Sequence, residues 1–468
     1  MFASLVLASA LSSSPSVQIP FERYRLDNGL EIILAEDHRA PLVAVDLWVH
    51  VGSGDEAPGR SGFAHLFEHM MFQGAEHIGE DVHFDVLRKL GATSVNGTTN
   101  SDRTNFYEVV PQNQLETALW LESDRLGFLL PVLNEKSLQN QRDVVRNERR
   151  QRYDNVAWGK ERFAVNAALY PEGHPYRYLT IGKHEDIEGA SVDDVRAFWS
   201  SRYVPSNATL ALVGDFASPK AKALVEKWFG SLRTEPAPKK TSLPTPHLKA
   251  SSRVDVADPF AKLVRVRFVW HGPRNLDDDD LDLGLFTSAL SAPGWGRLQR
   301  ALVVERPLCE SVFAFESSAG LSGSVQIGAT LKPGTDLGLV EKILDEELTR
   351  AKESEGVNQV EINRAQRRTE AAFVFELDEI LGKAERLQSF NHDVGDPGYS
   401  AQYLERLRAR TPATVRAAAH KWLDQPRVVV VSRPAPPMPP TPGATGPAPA
   451  APPKTSATPA PATTGGAP

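Results

Sequence analysis

His65-Leu66-Phe67-Glu68-His69 is the stretch that decides how this 468-residue chain is read. On a helix, residues four apart stand on one face, so His65 and His69 can present two imidazoles to one metal ion. Glu68 lies one residue before the second histidine, at the edge of that face. From there a carboxylate can reach a water on the metal without filling a coordination position. Zinc with three protein ligands and one open position lowers the pKa of such a water towards about 7, and a neighbouring glutamate can take its proton as the water attacks a carbonyl. The competing reading is two surface histidines on an amphipathic helix. The flanking sequence favours the metal. Gly52, Gly54, Gly59 and Gly62 break the chain after an apolar strand at Leu42–Val49, and a helix is expected to begin near Ser61.

A third ligand has to come from a second helix. The run Gln141-Arg142-Asp143-Val144-Val145-Arg146-Asn147-Glu148-Arg149-Arg150 mixes charged and apolar residues at helical spacing and offers Glu148. Taken alone, a glutamate in such a run is more often a solvated surface charge.

Ser61-Gly62-Phe63-Ala64-His65-Leu66-Phe67-Glu68-His69-Met70-Met71-Phe72-Gln73-Gly74 resembles the signature of the insulinase/pitrilysin-type peptidases, the inverted zincins. Leu26–Leu30, Gly91–Tyr107, Tyr203–Asn207 and Val213–Phe216 resemble further parts of that family, and the likeness runs from about residue 20 to 432. The resemblance implies one zinc ion per chain, held by His65, His69 and Glu148, the last standing 79 residues after His69. It implies Glu68 as the general base. It also implies that Gly91–Asn100 contains an edge strand that pairs with an extended peptide beside the zinc, with Asn96, Gly97 and Thr98 as the binding residues. Read without it, that segment is a Thr/Asn-rich turn between helix and sheet. Some family members carry a glutamate seven residues before the distal ligand. Here Gln141 stands there, an amide placed to tune the ligands through hydrogen bonds. An arginine and a tyrosine used by some members in the second half fall at Val303 and Glu310, neither of them equivalent.

The chain also carries its own signs of duplication. Leu42–His50 is echoed by Leu263–His271, Asn140–Val144 by Asn358–Ile362 and Asp194–Ala197 by Thr414–Ala417, at offsets of 221, 218 and 220. Three echoes in one order at nearly one offset argue for two copies of one fold. The offset sets Phe286, Ala289 and Leu290 against His65, Glu68 and His69, and Gln366 against Glu148. The second copy is therefore expected to lack a metal site and to form the other wall of a substrate chamber. Strands such as Glu31–Ala35 and Thr209–Val213 alternate with helices such as Gln114–Phe128 and Asn134–Tyr153, giving an α+β layer fold in each half. The resemblance adds that the two α/β-layer halves face each other in a clam shell, only the first carrying the metal.

Residues 1–18 are expected to be a signal peptide or a disordered N-terminus, 19–232 the catalytic half, 233–252 a linker, 253–433 the inactive half and 434–468 a disordered tail. Met1–Leu11 is apolar and small, with Ala8-Ser9-Ala10 resembling a signal-peptidase site, but no lysine or arginine precedes the apolar run. It is too short to span a membrane. The last holds 13 of the chain's 35 prolines. A periplasmic or secreted protein is expected, with the cytoplasm as the alternative. The net charge of −7 gives no reason to expect nucleic-acid binding, and a single cysteine, Cys309, excludes an intrachain disulfide or a cysteine zinc cluster. Together these point to a zinc endopeptidase acting on peptides or unfolded polypeptide, as a homodimer or with a related subunit. The rival is a non-catalytic scaffold or core subunit of a larger complex.

Overall fold

The structure, a computed structural model, describes residues 17–240 and 242–435. Most of the N-terminal segment and of the Pro-rich tail lie outside the described residues. The first half builds a six-stranded sheet from β1 (Glu22–Arg25), β2 (Glu31–Glu36), β3 (Leu42–Val49), β4 (Thr93–Thr99), β5 (Thr104–Pro111) and β6 (Ala208–Gly214), in the order β1-β2-β6-β3-β5-β4. The second builds a five-stranded sheet from β7 (Ser252–Asp258), β8 (Arg265–Gly272), β9 (Cys309–Ser317), β10 (Gly323–Leu331) and β11 (Val428–Pro434), in the order β7-β11-β8-β10-β9. The two orders superimpose from β2 and β7 onwards, and in both the first of these strands pairs parallel with the last-made one while the other neighbours pair antiparallel.

Alternation explains the layering. Along β3, Val43, Val45, Leu47 and Val49 enter the main core under the helices, while Ala44 faces the opposite side. That opposite side is covered by the other half. Ala384 and Leu387, on the helix Ile380–Val394, pack on Ile33, Ala44, Ala211 and Val213 of the first sheet. Reciprocally, Val165 and Leu169, on the helix Gly159–Leu169, pack on Val269, Val428 and Val430 of the second. Each half thus lends a helix to its partner's sheet. Each fully buried Leu or Val contributes about 1.5–3 kcal/mol.

The helix caps correct one sequence equivalence. Helices Glu135–Arg149 and Gln359–Glu376 both start from an asparagine in a reciprocal cap, Asn134 and Asn358. Arg142 then donates to the carbonyl of Ala190, and Gln366 Nε2 donates to that of Arg410 at 3.0 Å, each carbonyl immediately preceding the next helix cap, Ser191 or Thr411. Gln366 is therefore the counterpart of Arg142, and Glu148 is matched by Ala372. The short Asn-Gln echo had aligned a mid-helix asparagine with a cap. The second half still lacks donors at these places: Phe286, Ala289 and Leu290 are fully buried in its core. β11 also reaches Pro434, so the first residue assigned to the tail is paired in the sheet with Asp258.

Candidate metal centre

The helix Phe63–Met70 begins abruptly at Gly62, whose φ of 91° is a left-handed value that favours glycine. A Cβ there would meet Ile187 Cδ1 at 2.6 Å and Gly182 Cα at 3.0 Å. No side chain at the cap position bonds the first turn. The half-buried Glu56 does so from upstream, accepting the N–H groups of Gly62 at 2.9 Å and Ala64 at 2.8 Å. Burial pushes its carboxyl up to about 8, against the pull of those two bonds. Asp186 accepts both the N–H and the hydroxyl of Ser61. The histidine helix is thus anchored at its start, where one turn decides where both imidazoles point.

His65 and His69 lie one turn apart with ring centroids 4.8 Å from each other and planes at 84°. Glu148 reaches them from the end of the helix Glu135–Arg149. Its Oε2 lies 3.5 Å from His65 Nε2 and 3.2 Å from His69 Nε2. Ligand bonds of about 2.0–2.1 Å in a tetrahedron leave edges of about 3.3 Å, so these two separations are what a shared zinc ion would require. The three donors all lie within 4.8 Å of one another. Burial holds the His65 imidazole neutral, its pKa pulled down to about 4, which is the state a ligand needs. For Glu148 burial works to raise the carboxyl, but the His69 hydrogen bond, His65 and Arg152 together bring it below its ordinary value. Arg152 Nη1 takes the other oxygen, Oε1, at 2.8 Å and leaves Oε2 to the histidines. The donor set fits zinc. His65 Nδ1 has no hydrogen-bond partner among the described residues, so packing alone fixes that ring.

Glu68 projects away from the ligands towards β4. Its Oε2 accepts the Thr99 hydroxyl at 2.6 Å, and burial raises its carboxyl above the ordinary range. β4 is the sheet's edge strand, pairing with β5 alone among the described residues. Asn96, Gly97 and Thr98 lie on it beside Glu68. A Cβ on Gly97 would come within 2.9 Å of the Phe72 ring and 3.1 Å of Glu68 Cγ. Gln141 is buried two turns before Glu148 and makes no hydrogen bond to the three ligands. Val303 is half-buried, and Glu310 is exposed on β9.

Three residues were not singled out from the sequence. Arg152 stands four residues after Glu148, a spacing that could have signalled the pair. Thr99 and Glu56 act through contacts that only the folded chain creates. A second cluster, His83, Glu108 and Glu122, also brings three ligand-type groups together. It already holds a cation: Arg125 Nη2 lies 2.7 Å from Glu122 Oε1 and bonds the His83 ring.

Comparison with known proteins speaks to the family and the fold. The family model "Insulinase (Peptidase family M16)" matches residues 31–167, and "Peptidase M16 inactive domain" matches 189–369. The zinc protease PqqE of Helicobacter pylori is 26% identical over 441 residues, covering 92% of this chain and 96% of that protein. The crystal structure of a protease from Helicobacter pylori has a TM-score of 0.80 at 24% identity, covering 89% of this chain and 100% of that one. The first half of the periplasmic protease PqqL of Escherichia coli has a TM-score of 0.71 at 18% identity, covering 88% of this chain and 91% of that one. At these identities the two structures speak for the fold.

Proposed function

The chain belongs to peptidase family M16, the insulinase family, and we propose that it is a zinc endopeptidase hydrolysing peptides or unfolded polypeptide segments in a chamber. The observation that carries this reading is the division of labour at the site. Two histidines and one glutamate converge at zinc-ligand separations, while a second glutamate is turned aside by Thr99 and left free for protons. When bound, zinc supplies Lewis acidity, polarising a carbonyl and lowering the pKa of water towards about 7. Glu68 takes the proton of the attacking water and returns it to the departing amine. The free edge of β4 pairs with the backbone of an extended substrate through Asn96, Gly97 and Thr98, which gives affinity with little side-chain selectivity.

A chain relieved of catalysis has no physical need to keep this set in place, which weighs against the scaffold reading. Glu68→Gln separates the two. The purified wild type is expected to hold about one zinc per chain and to cleave an unstructured peptide library, while the variant keeps zinc and cleaves nothing. A metal-free, inert wild type would make the chain a scaffold. We also propose a periplasmic or secreted location, which the likeness to the periplasmic protease PqqL supports; cell fractionation distinguishes this from the cytoplasm. No helix among the described residues is long and apolar enough to cross a membrane. We further propose that it works as a homodimer or with a related subunit, which native mass measurement reads directly.

A further inference from the structure

The turn Asn100–Arg103, between β4 and β5, is met by the metal-free half. Asp102 accepts the N–H of Gly320 at 2.9 Å, and the Tyr176 hydroxyl accepts that of Leu321 at 3.0 Å, so a loop of the second half is docked on this turn. Arg103 faces the other way. Its Nη1 donates to the Thr98 carbonyl at 3.0 Å and to Asn105 Oδ1 at 3.0 Å, while the guanidinium lies 4.8 Å from the centre of the Trp48 ring. Asn105 Nδ2 donates in turn to Glu385 Oε1 at 2.9 Å and to Asp46 Oδ1 at 3.3 Å. Glu385 belongs to the helix Ile380–Val394 that the second half lends to the first sheet. At the opposite end, Thr98 is followed by Thr99, whose hydroxyl holds Glu68. An unbroken path thus runs from Glu385 through Asn105 and Arg103 to the end of β4 and on to the carboxylate beside the metal.

Docking the helix does not require this path. Ala384 and Leu387, on either side of Glu385, already pack on the sheet. A half-buried carboxylate close to a buried one, Asp46, is costly, and an apolar residue in its place is often neutral or better for stability. The edge strand, by contrast, needs restraint. It has one neighbour, its register slips between Thr93 and Asn96, and Ser94 sits at a φ of 52°. The slip lies at the Thr93–Asn96 end, while Asn96–Thr99 pairs in register with β5 on one side only, so contacts from outside the strand help to fix where Thr98 and Thr99 stand against Glu68.

We propose that Glu385 of the metal-free half is a positioning residue for catalysis: through Asn105 and Arg103 it fixes the Thr98–Thr99 end of β4, and Thr99 orients the Glu68 carboxylate. The proposal rests on Glu68 as the proton acceptor. The experiment compares the pairs Glu385→Met with Glu385→Gln and Thr99→Val with Thr99→Ser in the full chain. Gln keeps the acceptor for Asn105, and Ser keeps the hydroxyl for Glu68. Glu385→Met and Thr99→Val are expected to lower kcat on a fluorogenic peptide by about tenfold or more, with KM and zinc content changed less than about threefold, while the conservative partners stay within about threefold of wild type. Amide hydrogen exchange across residues 93–99 is expected to speed up in Glu385→Met and not in Glu385→Gln. Unchanged kcat in either Met or Val variant overturns the proposal, as does equal loss within a pair. Should Glu385→Met fail to fold, Glu385→Ala takes its place under the same kcat and exchange readouts. If the wild type cleaves no peptide, the peptidase reading fails separately, and the exchange measurement still decides whether Glu385 holds the strand.

Discussion

Glu148 carries two jobs on two oxygens, one towards the histidines and one towards Arg152. Glu148→Gln removes a negative charge from a site built for a dication and replaces a carboxylate by a weak ligand. Zinc affinity is expected to fall on the order of 10–100-fold or more, as read by competition with a chelator. Gly97 tests the neighbouring strand. Gly97→Ala puts a methyl against Phe72 and Glu68, so the Glu68 carboxylate must move while His65, His69 and Glu148 need not. We expect zinc to be retained and kcat to fall about tenfold or more, measured on the same peptide. At this scale the sequence was informative where chemistry is local. Two imidazoles one turn apart and a carboxylate beside them need only a helix. The partners were hidden for the opposite reason: Thr99 and Glu56 matter because of where β4 and the upstream loop arrive, which no spacing encodes. Glu148 needed the family resemblance, since a glutamate in a charged helix looks like any solvated one.

Among the elements, the duplication was legible because caps and strand cores repeat at a near-constant offset. Its weakest echo misled, aligning Gln366 with Glu148, since a two-residue match cannot tell a cap from a helix interior. The lent helices were not legible at all. An apolar stripe such as Ala384, Leu387 states that a helix is covered and not by whose sheet. Leu387 is fully buried although it belongs to one half and packs on the other. Leu387→Ala is expected to cost about 2–5 kcal/mol, and the loss should not stay local. Amide exchange in β6 and β11 should accelerate together, and urea unfolding should remain a single transition. Exchange confined to β6 would show that the halves open independently.

For the molecule as a whole, the seam also carries a dependence on pH. Burial, reinforced by the charge of Asp102, pushes the Asp393 carboxyl up to about 6. In the unfolded chain it ionises near its ordinary value of 3.8. Between the two values the folded state holds a proton that the unfolded state has lost, so stability falls as pH rises through this window and the full penalty remains above it. Asp393→Asn keeps an acceptor for Asn275 and removes the charge. It is expected to raise stability at pH 8 by on the order of 1–3 kcal/mol, read as a higher melting temperature, and to leave it unchanged near pH 3.5. A flat difference across that range would place the penalty elsewhere. The exchange of helices has one more consequence, for how the protein is made. A ribosome that has finished the first half has released His65, Glu68, His69 and Glu148, yet the apolar face formed by Ile33, Ala44 and Val213 stays bare until residues 380–394 emerge. The second sheet waits longer still, because β11, the last strand synthesised among the described elements, inserts between β7 and β8. Completion of both sheets therefore waits for the end of synthesis, and the nascent chain needs shielding from aggregation in the interval.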